Sequence, residues 1–144
     1  MTLSLNMDIL RNDDLVRIEV DAARSMVTTE WKGYVPSPDY RAILMELLDV
    51  VTRYDLRLWL SISTRMGIIL RSDERWSVEV FTPMLMQAGL CRVAVVRSAD
   101  FFSQTASERM VDATADYVPY KVEFFNSIEK ADGWLMQELK TLVK

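Results

Sequence analysis

Residues 37–55, SPDYRAILMELLDVVTRYD, mark the point where the hydrophobic repeat of this chain changes from two to 3.6. Tyr40, Ile43, Leu44, Leu47, Leu48 and Val51 recur three and four residues apart. On a helix that spacing gathers them into one apolar stripe, suited to lie on a sheet. Ser37 is placed to cap the helix, with Pro38 at the first helical position, where its missing N–H costs nothing. Upstream the repeat is two. Leu3, Leu5, Met7 and Ile9 share one face, Val16, Ile18 and Val20 a second, and Val27, Thr29 and Trp31 a third, with polar breaks at RNDD and DAAR. This alternation predicts an antiparallel meander of three strands, with turn types left open because neither break holds Asn-Gly or Asp-Gly.

Downstream, short apolar runs alternate with helical patterns. LRLWLSI (56–62) reads as a central strand, and Ser72 or Asp73 as the cap of a second helix. That helix turns Trp76, Val80, Met84 and Leu85 inward and ends at Gly89. Pro83 lies inside it and predicts a kink or shortening, because proline lacks the N–H and crowds the preceding turn. CRVAVV (91–96) lacks alternation, as expected of a strand buried on both faces. Ala106, Met110, Val111 and Thr114 predict a helix over about 102–115, and VPYKVEFF (118–125) a strand with Pro119 at its start. Asn126 with Glu129 resembles a capping box for a last helix carrying Ile128, Ala131, Leu135, Leu139 and Leu142. The order βββ-α-β-α-β-α-β-α predicts an α/β fold: a mixed β-sheet with right-handed crossovers and four helices packed against it, as a single domain over 1–144.

Composition narrows the functions. At 144 residues, half of them hydrophobic, with four glycines and four prolines, the chain is expected to fold around one core. Net charge is −4 with both signs interspersed, so no basic stripe suits a phosphate backbone and no nucleic-acid partner is expected. No apolar run is long enough for a transmembrane segment, and MTLSLNMDIL lacks the pattern of a signal peptide, which points to a cytoplasmic protein. The one cysteine, Cys91, cannot form an internal disulfide and is expected to pack as a small hydrophobe. Histidine is absent. This removes the usual activators of serine and cysteine nucleophiles and the commonest metal ligand, so no metal and no cofactor is expected. Asp13 with Asp14 and Asp73 with Glu74 are adjacent pairs in turns or caps, not facing carboxylates, and no enzyme activity is expected.

The stretches TTEWKGYVPSPDYRAIL (28–44), WLSISTRMGIILRSDERW (59–76), CRVAVVRSADFF (91–102) and VEFFNSIEKADGWL (122–135) carry a family resemblance. The chain resembles the SpoIIAA-like branch of the STAS superfamily, the bacterial STAS/SEC14-domain proteins of Bacteroidetes type. The resemblance implies a single STAS-like, generally non-enzymatic α/β domain. In the better-known members, anti-sigma factor antagonists, a serine before a helix is phosphorylated by a partner kinase. Ser61, Ser63 and Thr64 lie near the corresponding strand end, though no aspartate precedes them and Ile62 stands where the family pattern has one. Arg65, with Arg71 and Arg75 nearby in sequence, could meet a phosphate or a partner's carboxylate. The plainer reading makes these hydroxyls turn or cap residues and Gly67 a backbone requirement.

Two functions are therefore expected in turn. The first is a protein-interaction or regulatory module of STAS type that binds a protein partner or itself as a homodimer, using Ser61, Ser63, Thr64 and Arg65. The alternative is a carrier of a lipid or other small apolar molecule in a cleft between helices and sheet. Met84, Met86, Phe101 and Phe102 are the candidates for lining such a cleft or an interface, against core filling as their ordinary role.

Overall fold

The three period-two runs form β1 (Met7–Asn12), β2 (Val16–Asp21) and β3 (Met26–Trp31), paired antiparallel in sequence order. The structure, a computed structural model, describes residues 7–142; Leu3 and Leu5 lie outside the described residues. Val16, Ile18 and Val20 on β2 and Val27, Thr29 and Trp31 on β3 are buried on one face, as the alternation requires. β1 departs from it. The register to β2 slips between Ile9 and Arg11, leaving Leu10 as the extra residue of a bulge. A bulge reverses which residues face inward, so Leu10 packs against the core and Ile9 is 55% exposed.

β4 (Leu58–Ile62), β5 (Arg92–Val96) and β6 (Lys121–Phe125) add in parallel beside β3, giving a six-stranded mixed sheet of order β1-β2-β3-β4-β5-β6. Strand order equals chain order. Right-handed crossovers that always advance in one direction place their helices on one face. That is where α1 (Ser37–Tyr54), the rod built from α2 (Arg71–Trp76) and α3 (Thr82–Leu85), and α4 (Phe101–Thr114) contribute to the larger core. α5 (Ile128–Leu142) follows the last strand and covers the other face. There Ala131 and Leu135 pack with Met26, Leu58, Leu60, Ala94 and Val96. β5 is thus buried on both sides.

The helix starts differ from the expected ones. Pro36, not Ser37, holds the N-cap position of α1. Ser37 is already helical and donates its hydroxyl to Asp73 Oδ1 at 2.7 Å. α2 begins after Leu70 rather than at a Ser72 or Asp73 cap, because Asp73 is buried and accepts from both Ser37 and Arg41. Between α2 and α3 the chain makes a π-helical turn, Ser77–Phe81. The Thr82 N–H reaches back to the Ser77 carbonyl, and the Thr82 hydroxyl donates to the same oxygen at 2.8 Å. The wider turn lies just before Pro83, whose ring would crowd the Glu79 carbonyl in a regular helix. It also rotates the inward face, so Ser77 and Phe81 are buried and Val80, expected inside, is exposed. Gly89, at φ +97°, turns the chain toward β5. α4 is capped by Asp100, which accepts from the Ser103 N–H at 2.8 Å. At α5 the cap is Ser127, accepting from the Lys130 N–H at 3.2 Å, in place of the expected Asn126 box, and Ile128 is exposed. Cys91 precedes β5 and is only half-buried.

Candidate functional site

Period two along β4 sorts its side chains. Leu58, Leu60 and Ile62 face α5, while Trp59 and Ser61 face the three-helix layer, with Ser63 just beyond the strand. On that second side two sets of polar contacts join β4 to β3. Trp59 Nε1 donates to Thr29 Oγ1 at 2.9 Å, Trp31 Nε1 donates to Ser61 Oγ at 3.3 Å, and the Ser61 and Ser63 hydroxyls lie 3.4 Å apart. Ser61 and Ser63 are 6% and 4% exposed.

These groups border a cavity of about 150 Å³ between sheet and helices. Its apolar wall includes Trp31, Trp59, Phe81, Leu85, Val93 and Val95, and Tyr40, Ser61, Ser63, Ser77 and Ser107 are among the hydroxyl-bearing residues that line it. Among the lining residues there is no carboxylate, amine, guanidinium or thiol. Tyr40 shares a 3.1 Å hydrogen bond with Ser77, and burial pushes its phenol up to about 12. Burial likewise pushes Tyr120 up to about 12. Both are neutral at ordinary pH, so they offer neutral hydrogen bonding. Met110 borders both this cavity and an open groove lined by Arg71, Glu74, Arg75 and Arg109. Across that groove Arg109 of α4 clamps Glu74 of α2 with two hydrogen bonds, 2.9 and 2.7 Å long.

The structure divides the expected switch residues. Ser61 and Ser63 lie inside. Thr64 and Arg65 are exposed, and Arg65 approaches Glu30 only to 3.7 Å. Arg71 and Arg75 line the groove between α2 and α4. None of Met84, Met86, Phe101 and Phe102 lines the cavity; Met66 and Met110 are the methionines that do. Met86 is partly buried against the core, and Met84 is also partly buried. Phe101 and Phe102 stand 73% and 63% exposed, their rings edge to face at 5.5 Å. Sequence reasoning missed Tyr40, Ser77 and Ser107 as site residues. Ser107 carried a signal, since it falls in the helical series of Ala106, Met110, Val111 and Thr114.

The exposed phenylalanines belong to a larger feature. Beyond the carboxyl ends of β3 and β4 the loops carry Tyr34 and Ile68 with Leu70, and beyond β5 and β6 the first residues of α4 and α5 are Phe101 with Phe102 and Ile128; these are six of the ten exposed large hydrophobics among the described residues. The connections after β3, β4 and β5 are tied together. The Gly67 N–H donates to the Gly33 carbonyl at 3.0 Å, the Ala99 N–H to the Thr64 carbonyl at 3.1 Å, and the Ser98 hydroxyl to the Met66 carbonyl at 3.0 Å. One end of the sheet therefore has an apolar rim on cross-braced loops.

No helix among the described residues is long and apolar enough to cross a membrane, and no cluster of potential metal ligands occurs among them. Comparison with protein-family models, with curated proteins and with solved structures finds no match to this chain.

Proposed function

We propose that this domain is a cytoplasmic, non-enzymatic docking module, regulatory in the manner of a STAS-like domain, that binds a protein through the rim at the carboxyl ends of β3 to β6. The observation that carries the reading is the rim itself: exposed apolar side chains beyond the carboxyl ends of four successive strands of a sheet whose other large hydrophobics are mostly buried. Scattered exposed hydrophobics are ordinary, but six gathered at one end of a sheet, two of them aromatic rings in contact, suggest an interaction surface. Aromatic anchors flanked by arginine are the residue types that dominate protein interfaces, and braced loops lose little freedom on binding. Arg65, long in its contact to Glu30, is available to a partner's carboxylate. A second copy of the chain is the first partner to test, since a two-fold contact would set two Phe101–Phe102 pairs against each other. Thr64, exposed on the same rim, is the hydroxyl of the set that a kinase reaches without opening the strand end.

The test is photocrosslinking from position 102, with Val80, exposed away from the rim, as control position, together with light scattering of the purified chain. The reading expects a defined protein adduct from position 102 and none from 80. The adduct, or the dimer mass, should be lost in the Phe101→Ser, Phe102→Ser double variant. A monomer at every concentration and no specific adduct from position 102 in the native host would overturn it.

A further inference from the structure

We infer that the cavity beneath the three-helix layer is a binding site for a small uncharged ring compound bearing a hydroxyl group, with the ring held among Trp31, Trp59 and Phe81 and its hydroxyl bonded at Ser63 and Ser61. This rests on the interior and not on the rim, and it stands or falls separately from the docking function. Protein interiors are close-packed, with few voids larger than a water molecule. An apolar void of roughly 150 Å³ accepts one benzene-sized ring; this cavity has that volume, is partly open, and adds hydroxyl-bearing residues to an apolar wall. It falls below the roughly 300–1,000 Å³ of sites for drug-sized ligands, so a single small ring suits it better than a larger molecule.

The polar groups select the chemistry. Hydrogen bonds usually lie near about 2.7–2.8 Å between hydroxyls and near about 2.9–3.0 Å from N–H to oxygen. The Ser61 contacts, by contrast, are 3.3 Å to Trp31 Nε1 and 3.4 Å to Ser63, and Ser63 Oγ has no shorter side-chain contact. Each serine hydroxyl has one donor and two acceptor sites. Two hydroxyls more than nine-tenths buried are therefore loosely satisfied at the edge of an apolar space, and a ligand hydroxyl would complete them. A charged ligand is disfavoured, because no lining residue carries a compensating charge and the ion would lose its hydration. Met110 belongs to both the cavity wall and the open groove between α2 and α4, which places it to cover a way in. A flexible thioether can swing aside where a branched side chain could not.

The experiment titrates the full chain with phenol, benzene and benzoate, reading indole N–H signals by two-dimensional NMR alongside thermal melts. Expected are shifts of the Trp31 and Trp59 indole signals with phenol, a smaller stabilisation with benzene, and none with benzoate. In Ser63→Ala, phenol affinity should fall about tenfold, the worth of one hydrogen bond, to the level of benzene. Met110→Trp should block both neutral ligands. If that variant fails to fold, Met110→Ile, branched and stiff, should slow their exchange instead. Phenol and benzene binding equally, with Ser63→Ala without effect, would overturn the assigned ligand class. A cavity that holds water alone, with no indole shift for any of the three compounds, would overturn the site.

Discussion

A methyl group at position 67 has nowhere to go. Built on Gly67, it would stand 3.0 Å from both the backbone nitrogen and the Cα of Tyr34, atoms that cannot swing aside. Gly67→Ala should therefore cost about 1–3 kcal/mol, as overpacking does. The check is a lower urea midpoint with an unchanged denaturant slope. The glycine was recognisable in the sequence as a backbone requirement, but its neighbour was not, since Gly33 and Tyr34 reach it from more than thirty positions away. The same limit applies to Ser37 and Ser61. Each could be read as a cap or turn residue, and each bonds instead to a residue distant in the chain. Two tyrosines set a pH response. The phenols of Tyr40 and Tyr120 are pushed up from 10.0 to about 12 by burial. A raised folded-state value means that their contribution is complete below pH 10 and is lost as pH climbs from there through about 12. Tyrosinate absorbance should show Tyr40 and Tyr120 ionising well above pH 10, together with alkaline unfolding.

At the scale of the element, the legible features were those that obey a period. Strand alternation, the stripe of α1 and the two-faced burial of β5 all follow from side-chain spacing. The bulge at Leu10 and the π turn at Ser77–Phe81 each insert one residue into a regular repeat, and an inserted residue leaves no mark in composition. Pro83 alone hinted at the second, and it was readable as a kink rather than as a rotation that buries Ser77 and brings it to the cavity. α4 shows another limit. Its inward face mixes Ser103, Ala106, Ser107 and Thr114, a weak apolar stripe, to which the Arg109–Glu74 clamp adds a tie to α2. Glu74 is buried and Arg109 supplies both donors. Arg109→Ala should leave that carboxylate without a partner and loosen α4. Amide hydrogen exchange should quicken across 101–114 while the central strands keep their protection.

For the whole molecule, topology was readable because strands and helices alternate and crossovers have one hand. The cavity was not, because it depends on how three helices stand off from the sheet, a distance that no local pattern encodes. The two faces are unequal. Three helical rods share the larger core, whereas among the described residues α5 is the one helix on the other face, where Leu135 is fully buried with Ala131. Leu135→Ala should cost about 2–5 kcal/mol, the range for a large core truncation, measured by chemical denaturation. The rim double variant Phe101→Ser, Phe102→Ser should change stability by less than about 0.5 kcal/mol, as expected of exposed positions.

Sheet order that copies chain order has a consequence for synthesis. As the chain leaves the ribosome, each new strand finds its neighbour already in place, and the three-helix face can close progressively from the N-terminal side. The opposite face cannot. Met26, Leu58, Leu60, Ala94 and Val96 stay bare until residues 128–142 emerge. Nascent chains stalled before that point should be sticky and chaperone-bound, and release of the last helix should free them.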